Sequence, residues 1–138
     1  MLVLAILSAC LSQCPTETDV PPTTLDGLSG TSVAIDGDFA VIGCPLGTGN
    51  GWASGMAIVY RLVDDVWVRE AELIAEDGDV GDMMGVSVDI SEGRVIAGAW
   101  FNNHAGTNSG AAYVFEEVKG QWSQTAKLVA DDAYTQDS

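Results

Sequence analysis

Three aspartates crowd one short stretch, AEDGDVGD at residues 75–82. Asp77, Asp79 and Asp82 are close enough for a turn to bring their carboxylates to one divalent cation, and calcium takes such oxygen ligands. Two of them recur in a later stretch, ADDAYTQD at 130–137, as Asp132 and Asp137, while Asp79 gives way to Tyr134. That partial recurrence fits side chains that hydrogen-bond backbone N–H groups in a turn better than it fits a cation cage. The expected cofactor is therefore none, with calcium at these three residues as the candidate. Trp52, Trp100 and His104 are the side chains placed to make a ligand surface, each in or beside a Gly-rich or Asn-rich loop. Nothing gathers for catalysis. His104 is the sole histidine, and the chain has no nucleophile elbow, no paired metal-binding histidines and no phosphate-binding glycine loop. The expectation is no catalytic residue and no enzyme activity.

Composition narrows the frame that must position these side chains. The 138 residues include 16 glycines, and 20 acidic residues against 5 basic ones give a net charge of −15. That length suits one domain with a core of its own, and abundant glycine suits strands joined by tight turns. The lack of Lys/Arg clusters excludes nucleic acid and anionic membrane surfaces as direct partners. The acidic balance keeps an exported protein soluble and permits cation binding.

The amino terminus, MLVLAILSACLSQCPTETDVPPTT, changes character abruptly. Residues 2–9 are apolar or small, too few to span a bilayer and close to a signal-peptide hydrophobic region, although no Lys or Arg precedes them. The stretch Leu7-Ser8-Ala9-Cys10 resembles the lipobox of bacterial lipoproteins: an aliphatic residue, two small residues and the cysteine lipidated after cleavage. The resemblance implies a signal peptide at 1–9, lipid on Cys10, export, and contact with the envelope or surface membrane through that anchor only. Residues 10–29, rich in Thr and Pro, read as an extended tether. Cys14 and Cys44 then remain, and Cys44, inside IGCP, reads as a small core residue.

Beyond the tether the chain repeats itself. Ser32 and Ser87 stand 55 residues apart, and the same offset pairs Val33 with Val88, Ile35 with Ile90, Gly43 with Gly98 and Gly55 with Gly110. It continues without a gap through Val59/Val114, Trp67/Trp122, Leu73/Leu128 and Asp77/Asp132. Two tryptophans and several glycines held in register mark a duplication. SVAI and FAVIG, split by the Asp36-Gly37-Asp38 turn, give two strands of the first unit; GMAIVYRLV and VWVREAELIA give two more. The second unit repeats them as VSVDI, RVIAGA, GAAYVFEEV and QWSQTAKLVA. Four strands per unit suggest a propeller blade, with a β-sandwich of two halves as the alternative. Trp67 and Trp122 recur at the repeat period, which assigns them to packing between units.

Each unit resembles the FG-GAP repeat, the blade of integrin-α-like β-propellers, in the form found in bacterial secreted proteins and lipoproteins. Gly30-Thr31-Ser32-Val33-Ala34-Ile35-Asp36-Gly37-Asp38 is similar to the opening of that repeat, and Ala40-Val41-Ile42-Gly43-Cys44-Pro45 stands for its Gly-Ala-Pro strand. In the second unit Met84-Gly85 stands for Phe-Gly and Gly98-Ala99-Trp100 for Gly-Ala-Pro. The resemblance implies an all-β fold: blades at 30–84 and 85–138, each a four-stranded antiparallel sheet of a partial propeller. The family's calcium loop does not carry over, because Asp36-Gly37-Asp38 and Ser91-Glu92-Gly93 are too short to supply the roughly six to eight oxygens calcium takes. Propellers close with roughly four to eight blades, so two blades suggest a fragment of a longer chain, a truncated reading frame, or a unit that joins other copies. The expected function is a surface-anchored, non-enzymatic recognition or scaffolding module binding protein or glycan through its loops. The alternative is an accessory propeller of a larger secreted hydrolase.

Overall fold

Eight strands make up the computed structural model, which describes residues 30–103 and 109–131. β1 (Ser32–Asp36), β2 (Phe39–Cys44), β3 (Met56–Val63) and β4 (Val66–Leu73) form one sheet in chain order. β5 (Met84–Ser91), β6 (Arg94–Ala99), β7 (Ala111–Val118) and β8 (Gln121–Leu128) form the second in the same order. All neighbours are antiparallel, and no helix occurs among the described residues. The all-β expectation of two four-stranded antiparallel sheets of propeller type therefore holds, with the sheets left open. The duplication reaches the irregularities: β3–β4 shifts register between Val59 and Tyr60, and β7–β8 between Val114 and Phe115, the same place in each unit. Two boundaries differ from the sequence reading. β4 and β8 end at Leu73 and Leu128, two residues earlier than their apolar runs, and β5 opens at Met84, just ahead of the expected second unit.

Turn chemistry explains why the strands reverse where they do. Each hairpin has a two-residue loop: Gly37-Asp38, Asp64-Asp65, Glu92-Gly93 and Lys119-Gly120. Gly37 has φ 55°, and both loop residues have positive φ in the other three, for example Glu92 at 49° and Gly93 at 72°. Positive φ matches the turn to the right-handed twist of the strands, and Gly, Asn and Asp adopt it at least cost. These four turns gather at one end of the sheets. Asp36 Oδ2 accepts from Glu92 N at 2.7 Å and ties the first hairpin of one sheet to the first of the other.

Strand alternation then decides what lies between the sheets. Val41, Ala57, Val59 and Leu73 of the first sheet pack on Ile90, Val95, Ala97, Tyr113 and Phe115 of the second, all buried. Each Val, Leu and Ile side chain among them contributes about 1.5–3 kcal/mol on full burial. Trp122 joins this core, edge-on to Phe39 at 5.7 Å between ring centroids. Arg61 stacks over the Phe39 ring at 4.5 Å, is hydrogen-bonded to Glu70 at 2.8 Å and reaches Glu117 of the other sheet at 3.9 Å. On the opposite face of the first sheet Ala40, Ile42, Cys44, Met56, Ile58 and Tyr60 form a second buried cluster, with Trp67 against it. Cys44 is thus a core side chain, as its apolar neighbours imply.

The second sheet approaches the first closely because glycine lets it. Gly55 makes a parallel bridge to Met84 at the start of β5. A Cβ on Gly43 would overlap the carbonyl group of Gly85, and one on Gly55 would overlap the backbone of Met84. Gly43 and Gly55 are places where backbone rests on backbone.

Candidate functional site

Opposite the hairpin turns, the long connections collect at the other end of the sheets. They are the β2–β3 loop (45–55), the β4–β5 loop (74–83) and the described parts of the β6–β7 loop (100–103 and 109–110). Every candidate residue with described coordinates lies here: Trp52 in the first loop, Asp77, Asp79 and Asp82 in the second, Trp100 in the third. His104, Cys10, Cys14, Asp132 and Asp137 lie outside the described residues.

Backbone hydrogen bonds weld these loops together. Gly81 N donates to Trp52 O at 3.1 Å, Met83 N to Ala53 O at 3.0 Å, and Met84 N to Ser54 O at 3.0 Å. Asn50 Nδ2 donates to Ala75 O at 2.6 Å, and Phe101 N to Asp82 O at 3.4 Å. These bonds tie the three loops to one another through donors that would otherwise face solvent.

The three aspartates do separate work within it. Asp82 is buried, and its Oδ2 accepts from Asp79 N at 3.0 Å and from Asn102 Nδ2 at 2.7 Å. Asn102, also buried, places the same nitrogen 3.1 Å from the Tyr113 hydroxyl. Asp79 Oδ1 accepts from Val80 N at 2.8 Å, closing its own turn. Asp77 accepts from Lys127 Nζ at 2.6 Å, and that ammonium lies 5.2 Å from the Tyr113 ring centre. Burial alone would raise the Asp77 carboxyl, but its hydrogen bond and charge contact with Lys127, helped by Tyr113, hold it below the usual carboxylate range. Burial, and then the Asp77 charge beside it, push the Tyr113 phenol above its ordinary value. Among the described residues, no group of three His, Cys, Asp or Glu side chains is placed to hold a metal ion. The sequence reading did not single out Asn102, Tyr113 or Lys127. Tyr113 read only as a strand residue, and Asn102 corresponds to Gly47 in the first unit, so the repeat gave no signal.

Among exposed polar side chains at Asn50, Glu76, Asp77, Asp79 and Asn103, the face also offers four large apolar ones outward. Trp52 is 57% exposed, Val80 57%, Trp100 64% and Phe101 42%. Gly51 lies so close to Val80 that an added Cβ would meet its Cγ2 at 2.8 Å, so the Trp52 loop and Val80 adjoin. Trp100 leads directly into Phe101, whose amide is bound to Asp82. Such a ridge can stack on the apolar face of a sugar ring or seat a hydrophobic side chain. A separate shallow groove of about 270 Å³ runs between the outer strands and is lined by Glu72, Glu76, Phe115, Trp122 and Gln124. Glu76 N donates to Gln124 Oε1 at 3.0 Å across it.

Residues 67–115 match the family model of the FG-GAP repeat. The match starts in β4 of one sheet and ends in β7 of the next, so the sequence unit of the family straddles the two structural sheets. No curated protein matches the chain.

Proposed function

We propose, on the premise that the chain is an FG-GAP repeat protein, that it is a propeller-type recognition module. The loop ridge of Trp52, Val80, Trp100 and Phe101 is its ligand surface, and the ligand is a protein or a glycan. The exposure of these four large apolar side chains on one hydrogen-bonded face carries the reading, since a loop surface without a partner gains nothing from two half-exposed indoles. The module works without catalysis of its own: it holds a ligand by stacking and shape. Arrayed glycans and surface proteins, probed with the chain and with a Trp52→Ala/Trp100→Ala variant, test this. Binding that falls about tenfold or more in the variant, with thermal unfolding unchanged, supports the ridge; undiminished binding removes it.

The same proposal places the module outside the cytoplasm, tethered through residues 10–29 to lipid on Cys10. The lipobox-like Leu7-Ser8-Ala9-Cys10 supports this. Expressed in a bacterial host with a labelled fatty acid, the chain takes up label and a Cys10→Ala variant does not. Equal labelling of both refutes the anchor.

A further inference from the structure

The chain holds two of its own cations in the same way, between a carboxylate and an aromatic ring. Lys127 Nζ lies 2.6 Å from Asp77 Oδ2 and 5.2 Å from the centre of the Tyr113 ring. Arg61 is bound to Glu70 at 2.8 Å and stands over the Phe39 ring at 4.5 Å. The loop end offers carboxylate and aromatic ring again, with no cation supplied. Residues 45–55, 74–83, 100–103 and 109–110 contain Glu76, Asp77, Asp79 and Asp82 and no Lys or Arg. Asp77 is committed to Lys127, and Asp82 is buried and bound by Asn102 and the Asp79 amide. Glu76 and Asp79 are exposed, and neither pairs with a basic side chain among the described residues. Asp79 stands on the turn that links the aromatic loops. Gly81 N of that turn donates to Trp52 O at 3.1 Å, and Asp82 O accepts from Phe101 N at 3.4 Å.

Taking the loop ridge as a ligand surface, we infer that it selects a basic segment of a partner protein, with Arg or Lys side chains interleaved with apolar ones. The cationic groups stack on Trp52 and Trp100 with Asp79 and Glu76 as counter-charges, and the apolar ones meet Val80 and Phe101. A cation gains more over an indole face than over any other aromatic side chain, and a carboxylate beside it adds a charge contact. Charge complementarity excludes the opposite ligands. An acidic peptide or an anionic glycan would bring like charge onto Asp79 and Glu76, and into the field of a chain carrying −15. A neutral sugar stacks on indoles as well, but leaves both carboxylates without a counter-charge. The same field speeds encounter with a basic partner.

Calorimetric titration of the full chain at low ionic strength tests this. The probes are a short peptide alternating arginine and leucine, its glutamate counterpart, and a neutral chitin oligosaccharide. The arginine peptide should bind and the others should not. Asp79→Asn/Glu76→Gln keeps the turn, since an amide oxygen at 79 still accepts from Val80 N, and should weaken the arginine peptide by roughly tenfold. Trp52→Ala/Trp100→Ala should weaken it by a similar factor, with thermal unfolding unchanged. Asp64→Asn/Asp65→Asn removes the same charge from exposed positions at the opposite end, where Asn tolerates the positive φ, and should leave binding within about twofold. An equal loss there would mean diffuse attraction to an acidic surface, and overturns the inference. So does full-strength binding by Asp79→Asn/Glu76→Gln, or no binding of the arginine peptide at all. Binding of the oligosaccharide or the glutamate peptide instead, lost in the tryptophan variant, overturns the basic ligand and leaves the ridge standing. Arginine-peptide binding that survives the tryptophan variant removes the ridge, and the inference with it.

Discussion

Asp77 shows how one side chain can carry a cation-binding signature and spend it elsewhere. Its carboxylate is held by Lys127, so the ammonium supplies the positive charge that a metal would have brought. Asp82 is committed in the same way, through Asp79 N and Asn102. Stripping Asn102 from that buried carboxylate would remove one of its donors and leave the Asp79 amide, which is costly in a low-dielectric site. The Asp77 pair has a pH signature with a fixed sign. A carboxyl whose folded pKa is depressed adds stability above its unfolded value of about 3.9, and loses it as pH falls through the lower folded value. Chemical denaturation at pH 7 should therefore find Asp77→Asn less stable than the parent, and the gap should close below about pH 4. A gap that persists undiminished into acid would mean that Lys127 is not what holds Asp77.

At the scale of the elements, much was legible before any coordinates. The offset from Ser32 to Ser87 located both sheets, but the near-continuous apolar runs FAVIG and MAIVYRLV did not tell one face from the other, because both faces of β2 and β3 are buried. Asp36-Gly37-Asp38 announced its hairpin through residues that tolerate positive φ. Asp64-Asp65 and Lys119-Gly120 make equally tight turns, yet the first pair contains no glycine and its strain is offset by the paired strands on either side. What stayed hidden is the pairing of loops. Asp82, Asn102 and Tyr113 come from a loop, a second loop and a strand, up to 31 residues apart in sequence (Asp82 to Tyr113). No local pattern joins them; the second sheet does, by bringing the loop before β5 and the β6–β7 loop to the same end as Tyr113. Recurrence marked Trp67 and Trp122 for packing between units; Trp122 does join the core between the sheets, whereas Trp67 packs on the opposite face of the first sheet, in a cluster that holds no residue of the second. Trp52 and Trp100 stood out for the converse reason, since neither has a tryptophan at its repeat equivalent.

The molecule as a whole carries a charge of −15, and much of its acidity sits where the fold cannot neutralise it. Asp38, Asp64, Asp65 and Glu92 all stand at the hairpin end, exposed to solvent. Only 5 basic residues are present, and Arg61, Arg94 and Lys127 are already paired with Glu70, Glu116 and Asp77. Self-repulsion of this kind destabilises the compact state and is screened by salt over about 10 Å at 0.1 M ionic strength. The unfolding midpoint should therefore climb steadily from low salt to roughly 0.5 M sodium chloride, beyond the point where surface ion pairs begin to weaken. Calcium separates diffuse screening from a site. The carboxylates of Asp77 and Asp82 already accept hydrogen bonds from protein donors, and the hairpin turns present too few oxygens for roughly six-fold ligation. Millimolar calcium should then move the midpoint no further than magnesium at matched ionic strength. A calcium-specific shift, abolished by Asp79→Asn, would mean that the loop reorganises around a cation and that the Lys127 contact gives way to it.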